Sequence, residues 1–392
     1  MAEMTPRRRI LTAFDHQETD AVPFDIGGTK TTSLNVNAYR NLYRCLGWAE
    51  TPLQWGNYLS QRTHMAEEMS AFLGGDVRRV HVPHPEVLPK EKQTPVQLDA
   101  WGTEWTQESG GLFYVTRPAL AEARSIMDLQ QFAWPEPQSL FHAPEEVDLY
   151  ARKLRESTDC AICLDLPDAV VHSSQNIRGY EQWLLDSALD TPFFEALLDH
   201  IVELYCAMVC PVLAAAGDNI DLVMICDDIA VQNGPLISPR AYRKLIKPRH
   251  ARIVETIKSC SRAKIVFHSC GSVRWALPDL IDVGIDGLNP VQCSAAGMEP
   301  AELKRDFGRD VLFWGSIDTQ HVLPFGAPDE VREEVRRKIA TLHHDGGFVV
   351  GSVHIIQGDV PPQNVLALTE AAHVYGRRSD GHAFRITCTG RS

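Results

Sequence analysis

Short apolar runs alternate with amphipathic stripes along most of the chain. Residues 161–164, 220–225, 264–267, 285–289, 311–315 and 348–351 are rich in β-branched and aromatic side chains, lie between turn-forming residues and read as buried strands. Around them, residues 179–189, 192–215, 239–259, 272–283, Pro300–Phe307, 328–344 and Pro362–Gly376 carry apolar side chains at helical spacing. Two earlier strand signals, 22–28 and 77–82, bring the total to eight. Such alternation calls for parallel strands joined by crossover helices. Eight repeats predict a closed (β/α)8 TIM barrel, with a doubly wound open sheet as the other arrangement.

Helical spacing over 6–16, Val36–Leu46 and 63–73 predicts an N-terminal helical extension. The Pro-rich stretch 84–135, with Trp101-Gly102-Thr103-Glu104-Trp105 and Gly110-Gly111-Leu112-Phe113-Tyr114, predicts an antiparallel insertion instead of a barrel unit. The expected organisation is one domain over 1–376 and a polar, loosely held tail over 377–392.

Composition narrows the class of partner. The net charge of −13 argues against nucleic acid, because neutralising phosphates takes an excess of Lys and Arg. No run approaches eighteen consecutive apolar residues, so no membrane span is expected. The basic start, Met4-Thr5-Pro6-Arg7-Arg8-Arg9, leads into a mixed helix and not an apolar signal core, and a cytoplasmic setting is expected. The ten Cys are scattered, which is not a disulfide framework. Cys160 and Cys163 have C-x-x-C spacing inside an apolar run and read as core. Cys206 and Cys210, four apart on an apolar helix, read as packing.

The candidate chemistry sits where the strands end. His268-Ser269-Cys270-Gly271 follows the run at 264–267, and side chains two apart on an extended chain share a face. An imidazole and a thiolate directed at one point are a partial zinc site that lacks one or two ligands. Taken alone, the pair also fits a small buried Cys beside a hydrogen-bonded His. In a barrel, however, the other strand ends converge on the same mouth: Asp25-Ile26-Gly27-Gly28-Thr29, Cys226-Asp227-Asp228, Asn289-Pro290-Val291-Gln292-Cys293, Gly315-Ser316-Ile317-Asp318 and Gly351-Ser352-Val353-His354. His354 is the expected third ligand, and Cys293, Asp227 and Asp228 compete for the place or supply a fourth. Adjacent residues on an extended chain point opposite ways, so at most one of Asp227 and Asp228 faces the mouth.

These residues resemble the uroporphyrinogen decarboxylase superfamily, in its corrinoid-linked methyltransferase branch. The resemblance runs from Arg7-Arg8-Arg9-Ile10-Leu11 and Val22-Pro23, through Cys226-Asp227-Asp228, Gln232-Asn233-Gly234-Pro235 and Phe267-His268-Ser269-Cys270-Gly271. It ends in Asn289-Pro290-Val291-Gln292, Gly315-Ser316-Ile317-Asp318 and Asp359-Val360-Pro361-Pro362. It implies a TIM barrel, often dimeric, with zinc on His268, Cys270 and His354. In the coenzyme M enzymes of this branch the third ligand is a Cys, and His354 stands in its place; the decarboxylases also carry a His there. The decarboxylases place an arginine pair near the first strand, where this chain has Asp25-Ile26-Gly27-Gly28-Thr29-Lys30. The H-x-C pair and the missing arginines favour the methyltransferases.

The expected activity is zinc-dependent methyl transfer between a corrinoid (cobalamin) and a small thiol or methoxy compound. The sequence has no D-x-H-x-x-G motif of a corrinoid-binding domain, so the cofactor is expected on a partner corrinoid protein. Asp227 is the expected catalytic carboxylate, and Asp25, Asn289 and Gln292 are expected to line the substrate pocket. The rival readings are a metal-independent decarboxylase drawing on Lys30, Arg78, Arg79 and Arg178, and a barrel that binds a ligand without catalysis. Arg78 and Arg79 are equally suited to pairing with Asp76 at the surface.

Overall fold

The computed structural model describes residues 3–82, 96–107, 111–189 and 191–376; the expected polar tail and part of the 84–135 insertion lie outside the described residues. Seven strands form one parallel sheet, in the spatial order Phe348–Val349, Leu312–Trp314, Gly287–Asn289, Lys264–His268, Leu222–Cys226, Ala161–Asp168 and Val77–Arg79. Each neighbours its predecessor in sequence, and helices cross between them. The expected first strand, 22–28, forms only a bridge, yet it closes the ring. Asp25 donates its N–H to Val350 (2.9 Å) and Val350 donates to Pro23 (2.9 Å), while on the other side Asp76 donates to Phe24 (2.7 Å). The segment stays short because Pro23 has no N–H to offer and Gly27, at φ +72°, turns the chain.

Alternation along the strands sorts the core into two layers. Val77, Ala161, Cys163, Leu222, Met224, Val266, Leu312, Trp314 and Val349 fill the barrel interior together with Ile10, Ala13 and Phe14 of the helix Pro6–Phe14. That helix plugs the N-terminal end, with Phe14 and Trp314 at a ring separation of 6.2 Å. The opposite end, where the strands finish at Cys226, His268 and Asn289, forms the mouth. The outer faces pack on the crossover helices. Among these helices Pro192–Ala216 has the length and apolar character of a membrane span, but half of its most apolar stretch is buried in the fold.

Several expectations need correction. Residues 54–64 form an antiparallel hairpin, Gln54–Asn57 with Arg62–His64, and the helix predicted from 63 starts at Glu67. A further helix, Val170–Arg178, follows the Ala161–Asp168 strand; its first turns carry His172, Ser173 and Ser174, which hid it as a periodic pattern. Cys210 is joined to Cys260 in a disulfide between the helices Pro192–Ala216 and Lys247–Cys260, so it is not a packing thiol. Arg78 and Arg79 are buried, paired with Glu67 (2.9 Å) and Asp165 (3.7 Å), and Asp76 pairs with Arg9 instead. The insertion does contain a three-stranded antiparallel sheet, Val96–Leu98, Glu104–Gln107 and Phe113–Arg117. Cys160 and Cys163 are buried free thiols.

Candidate metal centre

The strand Lys264–His268 delivers His268 to the mouth, and the two residues after it carry Cys270 to the same point. The turn is held from three sides. Ser269 donates its N–H to the Asn289 carbonyl (2.8 Å), Cys270 to Asp228 Oδ1 (2.7 Å) and Gly271 to Gln292 Oε1 (2.7 Å). Gly271 lies at φ +88°, and a Cβ there would come within 2.7 Å of the Val231 carbonyl oxygen, so only glycine fits. His354, beyond the Phe348–Val349 strand, completes the group: one ligand atom from each of His268, Cys270 and His354 lies within 4.8 Å of the others.

This set fits zinc. His268 Nε2 and Cys270 Sγ are 3.5 Å apart, and a tetrahedral zinc with ordinary bond lengths separates N and S by about 3.6 Å. The imidazole is also correctly presented. Asn289 Nδ2 donates to the Trp314 carbonyl (3.2 Å), which turns its Oδ1 toward His268 Nδ1 at 2.5 Å. His268 therefore carries its proton on Nδ1 and directs a bare Nε2 at the site. Burial lowers the pKa of His268, and burial with His268 alongside pushes that of His354 down to about 4. Both rings are thus neutral, as ligation demands. Burial and the Asp228 carboxylate raise the Cys270 thiol well above its ordinary value without a cation to hold its thiolate.

The remaining expected residues are not all gathered here. Asp227 is fully buried: its oxygens accept the N–H groups of Val171 (3.0 and 2.9 Å) and His172 (3.0 Å) and face His250 Nε2 at 2.9 Å. It caps the helix Val170–Arg178 from outside and has no oxygen left for substrate, which corrects its expected catalytic place. Asp228 is the one at the mouth, Oδ1 4.0 Å from His268 Nε2 and Oδ2 3.6 Å from His172 Nε2. Asn289 orients His268, and Gln292 holds Gly271 while donating to Gln232 (2.9 Å), so neither presents a free group to substrate. Asp25 is buried beneath the mouth and accepts from Thr29 (3.0 Å), Thr32 (2.8 Å), Trp314 Nε1 (3.0 Å) and Gly28 (3.0 Å). Burial outweighs those donors and lifts its pKa to about 6. Cys293 Sγ sits against the Val291 carbonyl (3.3 Å), outside the ligand group.

Other groups at the mouth were not singled out from sequence. Burial opposes a charge on His172, but hydrogen bonds to Asp228 and Cys226 outweigh it and raise its pKa well above the ordinary value. Asp228 responds in kind, held far below the usual carboxylate range by His172 against the cost of burial. Asp168, His172 and Cys226 form a second group of possible ligand atoms within 4.8 Å of one another. There Lys30 Nζ already supplies positive charge, 3.3 Å from Asp168 Oδ1. The signal for Asp168 was the strand-end rule itself, concealed because the Ala161 strand runs four residues past its apolar part.

Comparison with known proteins agrees with this architecture. Residues 97–375 match the family model described as uroporphyrinogen decarboxylase (URO-D). A methylated-thiol–coenzyme M methyltransferase of Methanosarcina mazei is 29% identical over 137 residues, 35% of this chain and 34% of that protein. A methylcobamide:CoM methyltransferase, MtaA, of Methanosarcina barkeri is 26% identical over 201 residues, 51% of this chain and 53% of that one. A uroporphyrinogen decarboxylase of Ruthia magnifica is 25% identical over 163 residues, covering 41% and 44%. The matches span about half or less of these relatives. A solved methyltransferase from Methanosarcina mazei superposes with a TM-score of 0.67 over 95% of this chain and 99% of that one, at 21% identity, and so shares the fold.

Proposed function

Because the chain belongs to the uroporphyrinogen decarboxylase family, we propose that it is a zinc-dependent methyltransferase that exchanges a methyl group between a corrinoid and a small thiol or methoxy substrate. The observation that carries this is the His268–Cys270–His354 set, with its 3.5 Å N-to-S spacing and an Asn289 that leaves Nε2 of His268 bare. Two neutral imidazoles and one thiolate leave a bound zinc net positive, so that it supplies Lewis acidity toward a thiol or an ether oxygen. The chain's own groups do the rest. Asp228 tethers the Cys270 N–H and faces His172 at 3.6 Å. With its pKa raised by Asp228, His172 is placed to give a proton to the oxygen left when a methyl ether is cleaved. The corrinoid is proposed to arrive on a partner protein at the open mouth, in a cytoplasmic setting.

The decarboxylase alternative draws on Lys30, Arg78, Arg79 and Arg178 for substrate carboxylates. The four proposed for it are engaged: Lys30 with Asp168 (3.3 Å), Arg78 with Glu67 (2.9 Å), Arg79 with Asp165 (3.7 Å) and Arg178 with Asp186 (2.7 Å). Metal analysis of the purified protein with His268→Ala, Cys270→Ser and His354→Ala tests the proposal. About one zinc per chain, lost in each variant, together with demethylation of methylcobalamin by a thiol, is the expected result. No zinc after metal-replete purification, with uroporphyrinogen decarboxylated, overturns it.

A further inference from the structure

The barrel mouth carries a second set of metal-binding side chains, of which only His172 enters the proposed reaction. Asp168, His172 and Cys226 each offer a ligand atom within 4.8 Å of the others, the same span as His268, Cys270 and His354. The sheet brings them together. A register irregularity between Asp165 and Asp168 places Asp168 opposite Cys226 on the neighbouring strand, and the Ala169 N–H donates to the Cys226 carbonyl (3.0 Å). His172 follows in the first turn of the helix Val170–Arg178, whose leading N–H groups Asp227 holds. These donors are not used up. Among the described residues Asp168 Oδ2 accepts no hydrogen bond, and His172 Nδ1 is buried without a partner. Asp228 stands between the two sets, with Oδ2 3.6 Å from His172 Nε2 and Oδ1 4.0 Å from His268 Nε2. The Asp168 side chain is half exposed, which gives a cation a way in.

A thiolate, an imidazole and a carboxylate select a borderline-soft divalent cation of the zinc class. Lys30 does not bar one. Its Nζ is anchored on the Leu166 carbonyl (2.9 Å) and bonds only Oδ1 of Asp168 (3.3 Å). Two positive charges that enter while the ring and the thiol each give up a proton leave the local charge as it was. We propose that Asp168, His172 and Cys226 form a second divalent-metal site, with Asp228 shared between the two centres, and that filling it inhibits methyl transfer. The inhibition rests on the proposed function, because a His172 nitrogen bound to a metal has no proton to give the leaving oxygen. The site itself stands on its geometry.

Cobalt(II) tests the site in protein loaded with about one zinc per chain. Cobalt binds such donors more weakly than zinc, so the occupied centre keeps its metal, while a thiolate bound to cobalt absorbs in the near ultraviolet. Wild type should take up about one cobalt with that band. Cys226→Ser should lose the band. Asp168→Asn, at a half-exposed position, should weaken uptake by at least the roughly 10- to 100-fold that even an outer partner of a ligand is worth. No band in wild type, or a band that either variant keeps at wild-type affinity, overturns the site. Methyl transfer by wild type should fall as added zinc fills the second site, whereas the activity of Asp168→Asn, whatever its level, should not. Activity indifferent to the second metal, or lost to it equally in Asp168→Asn, overturns the inhibition and leaves the site. If the protein holds no zinc on His268, Cys270 and His354, or transfers no methyl group, the proposed function fails and the inhibition falls with it. A cobalt band that needs Cys226 and not Cys270 then still upholds the second site.

Discussion

Asn289 Oδ1 approaches His268 Nδ1 at 2.5 Å, across the register in which the two residues are paired on adjacent parallel strands. The contact is made by the sheet itself, because a parallel pair at the strand ends places these side chains side by side. It decides which nitrogen of His268 is free.

Asn289→Ala should therefore weaken zinc binding by about 10- to 100-fold, the usual effect of removing a ligand's outer partner. Competition with a chromophoric chelator measures this. Asn289→Asp, which can still accept from Nδ1, should retain most of the affinity. Equal affinity in wild type and Asn289→Ala would remove the orienting role.

Asp227 and Asp228, neighbours in sequence, should fail in different ways. Asp227→Ala strips the cap from Val171 and His172 and leaves His250 Nε2 facing nothing. A loss of about 2–4 kcal/mol in urea unfolding is expected, from a lost cap and an unsatisfied buried donor. Asp228→Ala should lose methyl transfer and cost less in unfolding than Asp227→Ala, because Asp228, though it holds the Cys270 N–H and faces His172, is partly exposed.

Gly271→Ala should cost about 1–3 kcal/mol, since φ +88° and the 2.7 Å approach to Val231 both exclude a side chain. Zinc affinity should fall with it, because the same turn sets Cys270. A variant with wild-type unfolding and full zinc content would contradict the argument.

Acid should destabilise the metal-free protein through a stacked histidine pair. His64 and His81 lie with ring centroids 4.1 Å apart; burial, followed by Arg79, lowers both, His81 to about 3. A histidine whose folded pKa is depressed binds its proton more readily when unfolded. Stability is thus intact above the unfolded value, about 6.5, and falls as pH drops from there toward the folded pKa of His81, about 3. Thermal unfolding between pH 7.5 and 5 reads the slope, and His81→Gln should make it shallower. An unchanged slope would assign the acid sensitivity to other groups.

Much of this molecule is legible in the chain as local pattern. The β–α alternation, the inward and outward positions of each strand and the H-x-C spacing depend on periods of two and 3.6, which any short window displays. The convergence of strand ends on one mouth then follows from the topology, and it is enough to bring His268, Cys270 and His354 together. The roles of Asp227, Asn289, Gln292 and Asp25 were not legible. Each sits at a strand end as expected, but a polar side chain there can serve substrate or backbone, and the choice depends on donors elsewhere in the chain. The partners of Asp227 lie 56, 55 and 23 residues away at Val171, His172 and His250. The disulfide joins cysteines 50 apart. Periodicity fixes which face a side chain occupies; only the closed barrel determines which distant groups have already been satisfied there.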